Sequence, residues 1–259
     1  VIRAQQPRIL NLQPPSYLAG KVQEQSLAFL EKMNGRHLKQ RAGQLDLEAR
    51  IQSYELAARM QTAAAEAMDL SKESKSVQQM YGMLDGGTTA EYGSRCLIAR
   101  RLVERGVRFV QVYHNNWDHH ANVSGRMPDQ CKDVDRPCYA LLEDLKQRGM
   151  LNDTLVIWGG EFGRTNYCQG KLSGNFGRDH HPRCFSLWMA GGGVRGGFRY
   201  GATDEYGYHA VEDRMTIHDL HATLLHIMGL DHTQLTFEHA GRDYRLTDVY
   251  GEAATKILA

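Results

Sequence analysis

Two periods of apolar residues divide the chain. Up to about residue 105 the spacing is helical. Residues 17–33 form one such run, interrupted at Asn34-Gly35. In the run 47–68, Leu47, Ile51, Tyr54 and Ala58 make one apolar stripe, with Asp46 as its N-cap. A third helix is predicted over 89–104, ending at Arg105-Gly106. Residues 1–16, with Pro7, Pro14 and Pro15, read as an extended lead-in.

Beyond residue 106 the pattern shortens. Residues 107–113 are β-branched and aromatic and predict a buried strand, as do 154–158 and 184–190. Pro137 is placed in the first turn of a helix that Gly149 closes. A last helix, 216–228, has apolar residues at 217, 220, 224 and 227 and stops at Gly229. Strands separated by helices imply a mostly parallel sheet covered on both faces. The expected fold is an α/β/α sandwich in residues 86–259, preceded by a helical segment over 1–85.

Composition narrows the function classes. With 31 basic and 30 acidic residues among 259, no global field selects nucleic acid or an anionic membrane. No apolar run is long enough to span a bilayer. The five cysteines, Cys96, Cys131, Cys138, Cys168 and Cys184, include no CxxC pair and leave at least one without an intramolecular partner. The chain opens on Val1 and its first sixteen residues lack an apolar signal core.

Each predicted strand has a polar cluster beside it, and in open α/β sheets ligands collect at strand ends. The clusters are 114–120, 159–165 and 177–182, contributing Asp118, His120, Glu161, Asp179, His180 and His181. Any single Asp-x-His is common on surface loops, and Asp179 alone reads equally as a cap. The recurrence of the pattern is what points to a metal site. Imidazole mixed with carboxylate suits zinc, manganese or iron better than magnesium or calcium. Arg164 and Arg178 can bind an anionic group bidentately. Trp117 either walls a pocket or orients its loop. His218 and His221, three apart on the last helix, read as helix-start and core residues, because Thr216 and Asp219 form a cap there. Neither a Gly-x-Ser-x-Gly elbow nor a P-loop is present.

The runs YELAARMQ, CLIARRLVERGVRFVQVYHNNWDHH, WGGEFGRT, GRDHHPRCFSLWMAGGGV and HDLHATLLHIMGLDH resemble a large bacterial family of unknown function. That family is grouped with the alkaline-phosphatase and sulfatase superfamily. The resemblance implies a bimetal site. Asp118, His120 and His180 or His181 would bind one ion, with Glu161 and Asp179 at the second. It departs from the superfamily at Phe162, where a His or Asn is expected. It also implies that this is the C-terminal part of an exported, periplasmic or secreted protein whose nucleophile lies upstream. The implied activity is metal-dependent hydrolysis of a small phosphate or sulfate ester. Zinc or manganese is the favoured ion, with calcium as the remaining choice, and a homo-oligomer is compatible. The alternative is a catalytically degenerate binding or scaffolding member.

Overall fold

The computed structural model describes residues 14–172 and 174–259, so most of the expected lead-in lies outside the described residues. The chain divides into two compact units, Val1–Val112 and Tyr113–Ala259.

The first unit is helical. Helix α1 (Lys21–Lys39) runs through Asn34-Gly35 without stopping and buries no residue. A glycine in an exposed helix costs only about 1 kcal/mol, which does not end it. Helix α2 (Leu45–Met68) begins before Asp46, which sits in the first turn rather than at the cap. Of its predicted stripe Ile51 is buried, while Tyr54 is 73% exposed. Helix α3 (Lys75–Met80) starts at Ser74, whose hydroxyl accepts from the Val77 amide at 3.2 Å.

Helix α4 (Gly87–Glu104) is the most deeply packed element of this unit, with Tyr92, Cys96, Leu97 and Ile98 buried. A Cβ on Gly93 would lie 2.0 Å from the Tyr81 carbonyl oxygen, so only glycine lets those backbones touch. Burial here also takes in charge. Arg100 and Arg101 both pair with Glu73, Arg100 at 2.9 Å. Arg101 in addition donates to the carbonyls of Ala67 and Glu66 at 2.8 Å each. Those carbonyls belong to the end of α2, where helical acceptors lack partners.

In the second unit, helix α5 (Val123–Gln147) is followed by strands β1 (Val156–Trp158), β2 (Gly163–Cys168), β3 (Arg178–His181), β4 (Trp188–Ala190), β5 (Ala202–Thr203) and β6 (Ala210–Glu212). Helix α6 (Ile217–Ile227) and strands β7 (Thr236–His239) and β8 (Arg242–Arg245) complete it. Pro137 lies in the middle of α5, not in its first turn, and Pro128 is inside the same helix. Gly149 closes the helix with φ 70°. The Thr216–Asp219 capping box forms as expected, and Gly229 takes φ 75° after α6. His221 is exposed rather than in the core.

The expected mostly parallel α/β/α sandwich is not the fold. The strands form four two-stranded sheets, β1-β4, β2-β3, β5-β6 and β7-β8, and every pair is antiparallel. Parallel neighbours need a crossover, usually a helix, between successive strands. Among the described residues no helix stands between 159 and 216. The chain instead turns back on itself, as hairpins at β2-β3, β5-β6 and β7-β8 and by the longer return from β1 to β4. The strand expected at 107–113 does not form. Residues 107–113 belong to no strand among the described residues, and Phe109 is 70% exposed. Strand β1 is short and half-exposed, not a buried run. Among the described residues no helix is long and apolar enough to cross a membrane, and no disulfide joins any of the five cysteines.

Candidate metal centre

The hairpin β2-β3 carries one side of the site. Arg164 stands directly opposite His180, and Gly163 opposite His181. Side chains alternate along a strand, so Arg164, Arg178 and His180 belong to one face, and Asp179 and His181 to the other. On this second face Asp179 is exposed and His181 is buried. His181 is 5% exposed, stacks on Tyr208 with ring centroids 4.2 Å apart, and donates from Nε2 to the Tyr208 carbonyl at 2.6 Å.

The other side comes from the segment before α5. It crosses the hairpin at Gly177, where an added Cβ would lie 2.0 Å from the His120 carbonyl carbon. The crossing is fastened by the Arg178 amide donating to His119 O at 2.9 Å and by a bridge between Ala121 and Phe176. Asn116 turns the chain with φ 71°, a left-handed conformation that Asn tolerates better than most residues.

These two segments bring Asp118, His120 and His180 together. His120 Nε2 lies 2.9 Å from Asp118 Oδ1, His180 Nε2 lies 3.0 Å from the same oxygen, and the two ring nitrogens are 3.2 Å apart. Among the described residues this is the one set of three or more His, Cys, Asp or Glu whose ligand atoms all fall within 4.8 Å of one another. Tetrahedral zinc, with bonds of about 2.0–2.1 Å, holds its ligand atoms about 3.3 Å apart, so the triangle has the right size for one face of such an ion.

The proton inventory strengthens the fit. His120 Nδ1 is 2.5 Å from Gln169 Oε1, an acceptor, so Nδ1 carries the proton. In the neutral ring, Nε2 is then a bare lone pair facing a carboxylate oxygen. Two lone pairs at that distance repel unless a positive charge lies between them, either a second proton on the ring or a cation. A carbonyl oxygen on the remote ring nitrogen is also the usual support of a metal-binding histidine. The donor set therefore fits a zinc-like divalent ion.

Arg164 ties in a fourth group. Its Nη1 donates to Asp118 Oδ1 and its Nη2 to Glu161 Oε1, each at 2.6 Å. Glu161 thus reaches the cluster through the guanidinium rather than directly. The hydrogen bond from His180, opposed by desolvation and supported by the charge of Arg164, holds the Asp118 carboxyl below its ordinary pKa. Asp179 turns away: its Oδ1 accepts from the His180 amide at 2.7 Å. Arg178 is exposed, and among the described residues no acceptor engages its guanidinium. Phe162 packs its ring 4.9 Å from that of His180. His119, between two of the cluster residues, is 5% exposed, and its Nε2 has no partner among the described residues. Burial, then the charges of Arg126 and Arg164, lower its pKa.

Sequence reasoning did not single out Gln169, which carries no signal until the hairpin folds. Gly177 was visible only as a flanking glycine. A Cβ on Gly163 would lie 2.1 Å from the Cys184 carbonyl oxygen, so that glycine serves backbone packing.

A helical unit thus precedes a unit of antiparallel hairpins that bears an exposed imidazole and carboxylate cluster. Over residues 1–258 the chain matches the protein family of unknown function DUF1501, and it belongs to that family. No curated protein and no solved structure matches it.

Proposed function

We propose that Asp118, His120 and His180 bind a divalent cation, zinc or manganese before calcium, in a periplasmic or secreted hydrolase of phosphate or sulfate esters. The observation that carries this reading is the triangle of donor atoms with edges of 2.9, 3.0 and 3.2 Å, one corner of which is a bare imidazole nitrogen. A bound cation in such a site polarises an ester oxygen and activates an attacking one. Around it, Gln169 fixes the tautomer of His120, and Arg164 orients the carboxylates of Asp118 and Glu161. Arg178, unpaired on the same strand face as His180, is placed to receive the anionic group of the substrate. The resemblance to the alkaline-phosphatase and sulfatase superfamily supplies the reaction class and is part of the proposal.

A binding module without catalysis is the second reading. It is favoured by Arg164, which already neutralises both Asp118 and Glu161. Metal analysis of the purified chain, followed by turnover of p-nitrophenyl phosphate and p-nitrophenyl sulfate with added zinc or manganese, separates the two. The hydrolase predicts bound metal and turnover, both lost in Asp118→Ala. Metal without turnover of any ester supports the binding module, and a chain that takes up no metal overturns the first reading.

A further inference from the structure

The segment that carries Asp118 and His120 is held on one side by its crossing at Gly177. On its other side stands Trp117. The indole Nε1 donates to His114 Nδ1 at 2.9 Å. An indole N–H is a donor only, so His114 Nδ1 is the acceptor, and the neutral imidazole carries its proton on Nε2. That nitrogen faces Asp133 Oδ2 of α5 at 3.6 Å. The side chains of His114 and Asp133 are only 13% and 14% exposed, so this approach is shielded from bulk water. The ring of Trp117 also meets the edge of Trp158 on β1, centroids 6.2 Å apart and planes at 87°. Trp158 in turn stacks on Trp188 of β4 at 6.3 Å. One residue before a candidate ligand, the chain is therefore tied by a directional bond to His114, whose far nitrogen approaches Asp133 of α5, and to a strand by an aromatic edge.

We infer that Trp117 is a positioning residue. Its N–H, through His114 and Asp133, fixes the segment that presents Asp118 and His120 and thereby sets the affinity of the site for its cation. This rests on the metal-binding reading of Asp118, His120 and His180. Supporting groups of this kind change metal affinity by about 10–100-fold when removed. The bond has a built-in control. Phenylalanine keeps an aromatic ring against Trp158 but has no N–H. Asparagine at 114 keeps an acceptor near the Nδ1 position, while leucine does not.

The test is calorimetric titration with zinc of the wild-type chain, Trp117→Phe, His114→Leu, His114→Asn and the double variant Trp117→Phe/His114→Leu. Melting temperatures are measured in chelator alongside. Trp117→Phe and His114→Leu should each raise the zinc dissociation constant by about 10–100-fold. The double variant should be no worse than either alone, since both remove one bond. His114→Asn should stay near wild type. A general packing role would lower the melting temperature without this pattern, and zinc affinities equal to wild type would overturn the inference while leaving the metal site standing. Amide hydrogen exchange of residues 115–121, in chelator, gives a reading independent of metal. Faster exchange in Trp117→Phe supports the tie even if wild type binds no zinc, a result that would overturn the metal reading alone. Unchanged exchange counts against the tie in either case.

Discussion

Gly177→Ala offers a demanding check on how the site is assembled. The new methyl carbon would lie 2.0 Å from the carbonyl carbon of His120, 2.2 Å from its oxygen and 2.3 Å from the Ala121 nitrogen. Ordinary contact needs more than an ångström beyond that, and all three atoms are backbone, so no side chain can swing aside. One of the two crossing segments has to move. Overpacking of this kind costs about 1–3 kcal/mol. The bonds that fasten the crossing, Arg178 N to His119 O and Val123 N to Phe176 O at 2.9 and 3.0 Å, would strain or break at about 0.5–1.5 kcal/mol each. A loss of about 2–6 kcal/mol follows. Urea unfolding followed by tryptophan emission measures it in the right place, because Trp117, Trp158 and Trp188 all lie in the second unit. Gly174→Ala is the control, since nothing stands within 4 Å of its would-be Cβ and its φ is not positive. Moving the His120 backbone should also weaken zinc binding by at least tenfold, the lower end of what disturbed ligand support costs. If Gly177→Ala matched Gly174→Ala in both stability and zinc affinity, the crossing would not be holding the cluster together.

Other outcomes follow from the same geometry. Glu73→Ala should destabilise the first unit by about 2–4 kcal/mol, read as helical circular dichroism against urea, because it removes the carboxylate facing both buried guanidiniums and leaves Arg100 to Glu104 and Arg101 to the Ala67 and Glu66 carbonyls. A loss under about 1 kcal/mol, the size of a surface pair, would refute that account. Thr216→Ala should cost about 1 kcal/mol through the lost cap of α6. Asp219 adds a pH signature. Burial pushes its pKa up, but hydrogen bonds from Thr216 and the Glu252 amide outweigh that and leave it below the usual 3.8. A depressed folded pKa stabilises above the unfolded value and loses that contribution as pH falls through the folded one. The stability gap between wild type and Asp219→Asn should therefore be level above about pH 5 and narrow below about pH 4. A gap that widened in acid would contradict the assigned bonds.

What could be read from the chain, and what could not, divides by range. The capping box at Thr216 and Asp219 spans three residues and was visible without any fold. So were Gly149 and Gly229 as helix stops, because a left-handed residue after a helix is a local demand. The cluster was legible as chemistry: Asp118, His120 and His180 were all candidates. The choice between His180 and His181 was not, because it depends on 178–181 being a strand, and that segment read as a loop. Once it is extended and paired with β2, alternation assigns His180 to Asp118 and His181 to Tyr208. The parallel sheet failed for the opposite reason. Val107, Phe109 and Tyr113 have strand-like side chains, but a strand exists only with a neighbour, and composition does not name one. Pro137 misled in the same manner. Its ring fits a first turn best, yet a long helix packed through Val134, Ala140 and Leu145 carries it at mid-length.

The paired histidines of β3 have one more consequence. A hairpin that slides by a single residue normally exchanges its wet and dry sides and destroys whatever was displayed. Here such a slide would bring His181 outward in place of His180, and an imidazole would still confront Asp118. What would be lost is the inner ring's bond to the Tyr208 carbonyl. Misaligned and native hairpins would then differ at the inner bond to Tyr208 and at the crossing, where a residue other than Gly177 would press a Cβ into the His120 backbone.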